Sequence, residues 1–165
     1  MSSLVFFGSS PFSVIVLEKV LGSRFQVTAV VTTPDKPVGR GLKLTPNQVK
    51  GFALKHHIPV FTDIHNFLNQ TVPPNTIGLV AAFGKIIPQS VLDKFNGQIY
   101  NIHPSLLPKY RGPSPLQQQI LDGVTQTGVT IFQLDAKMDH GPIVAQEKDA
   151  IRSNDTWITL GNRQF

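Results

Sequence analysis

Tyr100-Asn101-Ile102-His103-Pro104-Ser105-Leu106-Leu107-Pro108-Lys109-Tyr110-Arg111-Gly112 is the stretch from which the fold can be read. An apolar strand from Gly97 to Ile102 leads into it, and Pro104 and Pro108 stop that strand and stiffen the loop behind it. Asn101 and His103 are two apart, so on a strand both project from one face. An amide can donate a hydrogen bond to a developing oxyanion, and an imidazole can give or take a proton near neutral pH. Open α/β sheets build their sites at the carboxyl ends of apolar strands, and this pair suits acyl transfer. The plainer alternative is a hydrogen-bonded structural pair.

Outward from there, Ser3 to Gly8 is a short apolar run, and Phe12 to Leu21 has helical spacing with Gly22 as its stop. Phe25 to Val31 is rich in Val and alternates too little for an exposed strand, as in a parallel strand buried on both faces. A βαβ unit is predicted. The single Gly at its first turn is not the three-glycine dinucleotide fingerprint, which argues against NAD. Ile77 to Phe83 is a further apolar strand, and its decorated end, Gly84-Lys85-Ile86-Ile87-Pro88, should border one crevice with the Asn101 to Pro108 tip. Pro88 equally suits a helix start. Pro46 to His57 and Pro115 to Leu121 read as helices, Pro59 to Phe61 as a short strand, and Ile64 to Leu68 as a brief helix. Thr127 to Leu134 and Ile143 to Lys148 read as the last strands. Ser153 to Thr156 cap a helix over Trp157 to Leu160 that Gly161 stops. The class is α/β, an open and mostly parallel sheet with helices on both faces.

The 165 residues, 41% hydrophobic and 15% charged, suffice for one domain with a substantial core. With no cysteine there is no disulfide framework, thiolate nucleophile or Cys-based zinc site. His56 and His57 are adjacent and point to different faces of a helix, so they suit its C-terminal dipole better than a metal. No apolar run is long enough to span a bilayer and no signal segment opens the chain, so a soluble intracellular protein with no membrane contact is expected. The formal charge of +5 mildly favours a polyanionic partner. Its basic residues Lys36, Arg40, Lys43 and Lys50 fall close together. Three of them lie in Thr32 to Pro46, whose three prolines, two glycines and four charges predict a long loop without regular structure. Such a loop is either functional or a flexible surface segment. Asp135 to Pro142 is a polar turn.

The run Asn101-Ile102-His103-Pro104-Ser105-Leu106-Leu107-Pro108, closed by Arg111-Gly112, resembles the signature of the folate-dependent formyltransferases, an Asn-x-His pair followed by Ser-Leu-Leu-Pro. Pro34 to Pro46 is similar to a segment that the methionyl-tRNA formyltransferases among them use against the tRNA acceptor arm. The resemblance implies a Rossmann-like sheet, Asn101 and His103 as catalytic residues, and Asp139 as the Asp that lies against the catalytic His. The residue after that Asp is usually Thr; here it is His140, whose role the likeness leaves open. It also implies folate against Phe83, Gly84, Ile86, Ile87, Pro88, Ser105, Leu106, Leu107 and Pro108, and tRNA against Arg40 with Lys36 and Lys43. Glycines on both sides of Arg40 would let the backbone approach a phosphate, and a guanidinium fork can take two of its oxygens.

The implied reaction is formyl transfer from 10-formyltetrahydrofolate to the α-amino group of methionyl-tRNA, with no metal, in a monomer of the bacterial cytoplasm or an organellar matrix. Amino-sugar formyltransferases and formyltetrahydrofolate hydrolases share the signature, and only the Arg40 segment argues against them. A glycinamide ribonucleotide formyltransferase is disfavoured by the lack of a glycine-rich phosphate loop near the amino terminus. An inactive folate or tRNA-binding module is the reading without catalysis. By the same likeness residues 1–165 form the catalytic domain, and full-length members continue the last helix into a carboxyl-terminal β-barrel that these residues do not include.

Overall fold

In the computed structural model residues 2–38, 43–45 and 47–165 are described. In chain order they form β1 (Ser2–Phe7), α1 (Pro11–Leu21), β2 (Phe25–Val31), β3 (Lys36–Val38), β4 (Lys43–Thr45), α2 (Gln48–Lys55), β5 (Val60–Phe61) and α3 (Ile64–Leu68). The second half adds β6 (Ile77–Ala81), α4 (Gln89–Leu92) with a 3₁₀ turn over Asp93–Phe95, β7 (Ile99–His103), α5 (Pro115–Leu121), β8 (Gln126–Gln133), β9 (Ile143–Ala150) and α6 (Trp157–Gln164).

Seven strands make one sheet in the order β5-β2-β1-β6-β7-β8-β9. The five strands from β5 to β7 run parallel; β8 and β9 are antiparallel additions at one edge. Alternation along β1 explains the two layers of helices. Leu4 and Phe6 point into a core with Val16 and Leu17 of α1, Val49 and Ala53 of α2 and Leu160 of α6. Val5 and Phe7 point the other way, among Phe67 of α3, Val91 of α4 and Phe95. Strands buried on both faces have no polar side to show, which is why Leu4 to Phe7 of β1, Ala29 to Val31 of β2 and β6 read as continuous apolar runs.

Three expectations are corrected. Thr32 to Pro46 is not without regular structure, because β3 and β4 pair antiparallel, Lys36 opposite Thr45 and Val38 opposite Lys43. Its base is fastened by Asn47, which accepts the Lys50 N–H and donates to the Thr33 carbonyl, and by the Lys50 Nζ to Asp35 Oδ2 pair at 2.7 Å. Gly161 does not stop the last helix but lies inside α6, where a Cβ would stand 2.6 Å from Phe12 Cε1; the glycine is there to let helices meet. The strand predicted over Ile77 to Phe83 ends at Ala81, because Ala82 takes a left-handed conformation (φ 47°) and turns the chain.

Candidate active site

Parallel strands deliver their carboxyl ends to one rim, and β7 carries the polar pair there. Ile99, Asn101 and His103 follow at intervals of two, and the apolar member Ile99 lies in the core layer of Val5 and Phe7. That assigns Asn101 and His103 to the same face. The half-buried Asn101 amide makes no hydrogen bond among the described residues, so its N–H groups are available to an oxygen. His103 is 4% exposed, with the Phe132 ring edge-on at 6.4 Å.

The loop over 104–112 folds back and fixes the imidazole. His103 Nε2 lies 2.8 Å from the Tyr110 carbonyl, which can only accept, so the proton there belongs to Nε2. On the other side Nδ1 faces Asp139 Oδ2 at 3.8 Å. The Gly112 N–H donates to that same oxygen at 2.8 Å and pins the carboxylate. Both Tyr110 (φ 58°) and Asp139 (φ 48°) are left-handed, conformations held by these contacts. The Tyr110 phenol is pushed above its ordinary value, first by desolvation and then by the Asp122 carboxylate, and stays neutral.

Support for this loop comes from residues that the sequence did not single out. Thr130 Oγ1 donates to the Ser105 carbonyl at 2.6 Å and accepts the Leu107 N–H at 3.1 Å. Buried Gln119 donates to the Pro104 carbonyl at 2.8 Å and accepts from Thr127, which in turn accepts from Gln164. Gly128 leaves room for Leu106, since a Cβ would stand 2.5 Å from Leu106 Cδ2. Such polar residues carry no local signal for the role, because their partners lie 8 to 37 positions away.

The residues predicted for folate divide. Gly84 and Ile86 are exposed and Ile87 and Pro88 half-buried, on the loop entering α4. Phe83 packs inside against Phe7, and Ser105 is wholly buried with its hydroxyl on the Lys109 carbonyl. Leu107 is buried, its amide and carbonyl taken by Thr130 and Gln146. Leu106 is half-buried and Pro108 exposed. A cleft of about 380 Å³ adjoins the first of these segments, between α4 and the chain that follows β8. It is lined by Gln89, Leu92, Ile99, Leu134, Asp135 and Ala136 among others, and by none of the nine predicted residues. Ile99 could have been found by continuing the spacing of Asn101 and His103 back by two.

Arg40 lies outside the described residues, and Lys36 and Lys43 are placed on the two strands of the hairpin by their backbone. His56 caps α2 and packs on Phe52 at 4.5 Å. Among the described residues no group of three or more His, Cys, Asp or Glu gathers as a metal site, and no helix is long and apolar enough to cross a membrane.

The formyl transferase family model matches residues 1–164. A methionyl-tRNA formyltransferase of Pseudothermotoga lettingae is 41% identical over 162 residues, 98% of this chain and 53% of that protein. One from Thermotoga maritima is 41% identical over 167 residues, 97% of this chain and 53% of its own length. The chain thus spans about half the length of the curated relatives it matches. Among solved structures, a phosphoribosylglycinamide formyltransferase from Bacillus halodurans superposes with a TM-score of 0.76 at 25% identity, over 99% of this chain and 87% of the other. An N-formyltransferase from Helicobacter canadensis, complexed with folinic acid and dTDP-3-aminofucose, superposes at 0.72 with 26% identity, over 99% and 61%.

Proposed function

The chain belongs to the formyl transferase family, and we propose from that premise that it transfers a formyl group from 10-formyltetrahydrofolate to the α-amino group of methionyl-tRNA. The observation that carries this acceptor is the likeness to methionyl-tRNA formyltransferases across nearly the whole chain. Folate as the donor is supported by the solved relative that holds folinic acid.

The neutral amine attacks the formyl carbon, N10 receives a proton from His103 as the C–N10 bond breaks, and the proton shed by the attacking nitrogen returns to His103. Asn101, whose amide has no other duty, donates to the oxyanion; removing such a donor typically costs about 10²–10³ in rate. His103 has Nε2 committed to the Tyr110 carbonyl, which leaves Nδ1, beside Asp139, as the nitrogen that exchanges this proton. Asp139 holds the ring in that orientation. The pteridine of folate rests on Ile99 and Leu134 in the cleft, whose volume suits a small ligand, while the loop from Gly84 to Pro88 and the tip at Leu106 and Pro108 border its mouth. Arg40, Lys36 and Lys43 on the hairpin take the acceptor arm, and residues 1–165 form the catalytic unit. The place of action is the bacterial cytoplasm or an organellar matrix, and the working form is a monomer.

The test is a competition in which the chain receives 10-formyltetrahydrofolate with methionyl-tRNA, free methionine and an amino-sugar nucleotide. Formylmethionyl-tRNA as the main product is expected. Formylated sugar, or formate released without any acceptor, would move the amino-sugar or hydrolase reading ahead.

A further inference from the structure

Thr130 of β8 stands directly opposite His103, and Gln146 of β9 directly opposite Thr130, so the three form one row across the sheet. Directly opposite residues of a ladder share a face. Thr130 is wholly buried, whereas Gln146 belongs to the exposed edge strand. A hydroxyl has one proton and two lone pairs, and that of Thr130 has three neighbours. The Ser105 carbonyl at 2.6 Å only accepts, and the Leu107 N–H at 3.1 Å only donates. The third neighbour is the Gln146 side-chain amide at 2.8 Å. The amide atom there is Nε2, because it also meets the Leu107 carbonyl at 3.2 Å, which only accepts. With both lone pairs filled by N–H donors, the Thr130 proton has one destination, the Ser105 carbonyl.

We infer that Gln146 is a positioning residue for His103, acting through the direction of the Thr130 O–H; its effect on rate rests on the proposed transfer. Ser105, held by that O–H, donates from its own hydroxyl to the Lys109 carbonyl at 2.7 Å, and the Lys109 N–H donates to the Leu106 carbonyl at 3.1 Å. Tyr110 follows in the chain, and its carbonyl takes the His103 Nε2–H at 2.8 Å. Hydrogen bonds therefore connect the edge strand to the imidazole. Gln146 takes no part in the bond changes of the reaction.

A carboxylate of the same shape reverses the arrangement. In Gln146→Glu the ionised side chain only accepts, so it draws the Thr130 proton away from Ser105 and repels the Leu107 carbonyl. Gln146→Leu merely removes a donor and leaves that proton on Ser105. Positioning makes Gln146→Glu the more damaging change at neutral pH, although glutamate is nearer to glutamine in shape and polarity. A packing role gives the opposite order. In acid the introduced carboxyl takes up a proton and becomes a donor again, so its deficit shrinks. On this face of β7, β8 and β9 the ionisable groups are His103 and Lys148.

The test measures kcat for methionyl-tRNA with 10-formyltetrahydrofolate in wild type, Gln146→Leu and Gln146→Glu, from about pH 5 to about pH 8, with a thermal melt of each. Proton NMR of the His103 Nε2–H, without substrate, reports the imidazole directly. Near neutral pH Gln146→Leu should lose about two- to tenfold, the worth of one hydrogen bond. Gln146→Glu should lose about ten- to a hundredfold, the scale of a misplaced catalytic group. The ratio of Gln146→Glu to wild type should rise towards acid, while that of Gln146→Leu stays flat. The Nε2–H should exchange with water faster in Gln146→Glu than in wild type at neutral pH. Gln146→Glu at least as active as Gln146→Leu, a ratio that does not change with pH, or unaltered Nε2–H exchange would each overturn the assignment and leave the transfer reading standing. A wild type that formylates no methionyl-tRNA, with exchange still faster in Gln146→Glu, would remove the transfer reading and uphold the positioning of His103.

Discussion

At the scale of single residues, the candidate site centres on one imidazole with a carbonyl on one side and a carboxylate on the other. The Tyr110 carbonyl fixes which nitrogen of His103 carries a proton, and the other nitrogen faces Asp139 across 3.8 Å. His103→Ala and Asp139→Asn should each lower formyl transfer by about 10²–10⁴, the range of general acid–base contributions. Asp139→Asn keeps an acceptor for the Gly112 N–H, so its Tm should stay close to wild type while the rate falls. Single-turnover kinetics with a thermal melt on the same sample check this, and near wild-type turnover would remove the residue from the chemistry. Asn101 and His103 were legible because a spacing of two on a strand is a statement about direction. The pair's supporters, Thr130 and Gln119, were not, because a buried hydroxyl or amide has no meaning until the chain returns to it.

At the scale of elements, α6 is held to the rest by two devices. One is steric: Phe12 is stacked on Phe165 at 5.5 Å and edge-on to Trp157 at 6.0 Å, so its ring cannot yield to a Cβ at position 161. Gly161→Ala should therefore destabilise, by about 1–3 kcal/mol of overpacking, although helix propensity alone favours alanine by about 1 kcal/mol. Urea denaturation decides the sign. The other device is ionic. The guanidinium of Arg163 bonds both oxygens of Asp155 and one of Asp149. That guanidinium first, and the Arg152 N–H second, hold the Asp155 carboxyl well below the usual carboxylate range. A depressed folded value contributes stability that is complete above the unfolded value of about 3.9 and is lost as pH falls below it. Asp155→Asn should then cost about 1–3 kcal/mol at pH 7, the range for bonds to charged groups, and the gap should begin to shrink below about pH 4 and close only in strong acid, where the folded carboxyl itself takes up its proton. A gap that persists undiminished in acid would contradict the linkage.

At the scale of the whole molecule, the proposed acceptor is a polyanion, and the basic residues around β3 and β4 are where that proposal is tested. Formal charge is +5, and Lys36, Arg40 and Lys43 lie on β3, β4 and the segment joining them. If Arg40 meets a phosphate, Arg40→Ala should weaken methionyl-tRNA binding most at low salt. Its logarithmic salt slope should fall by about one, so the two curves approach each other as salt rises. Folate-analogue binding should not change, because the hairpin base is fastened independently by Asp35, Asn47 and Lys50. Parallel binding curves with an unchanged slope would detach Arg40 from the tRNA and favour a small acceptor.

The sequence by itself determined the class of sheet, the helices that cover it and the strand end at which the candidate site lies. Runs of apolar residues bounded by Gly and Pro specify buried strands locally, and a period of two specifies the face of each side chain. Tertiary structure alone decided the rest. The hairpin of β3 and β4 forms despite three prolines in its segment, because Asn47 and Lys50 of the next helix secure its base. Gly161 continues a helix because Phe12 of another helix needs its space. The cleft floored by Ile99 and Leu134 exists because β8 runs antiparallel beside β7 and brings Leu134 to the Ile99 carbonyl. In each case the deciding contact joins residues that are distant along the chain, and no local pattern of composition or period encodes such a pair.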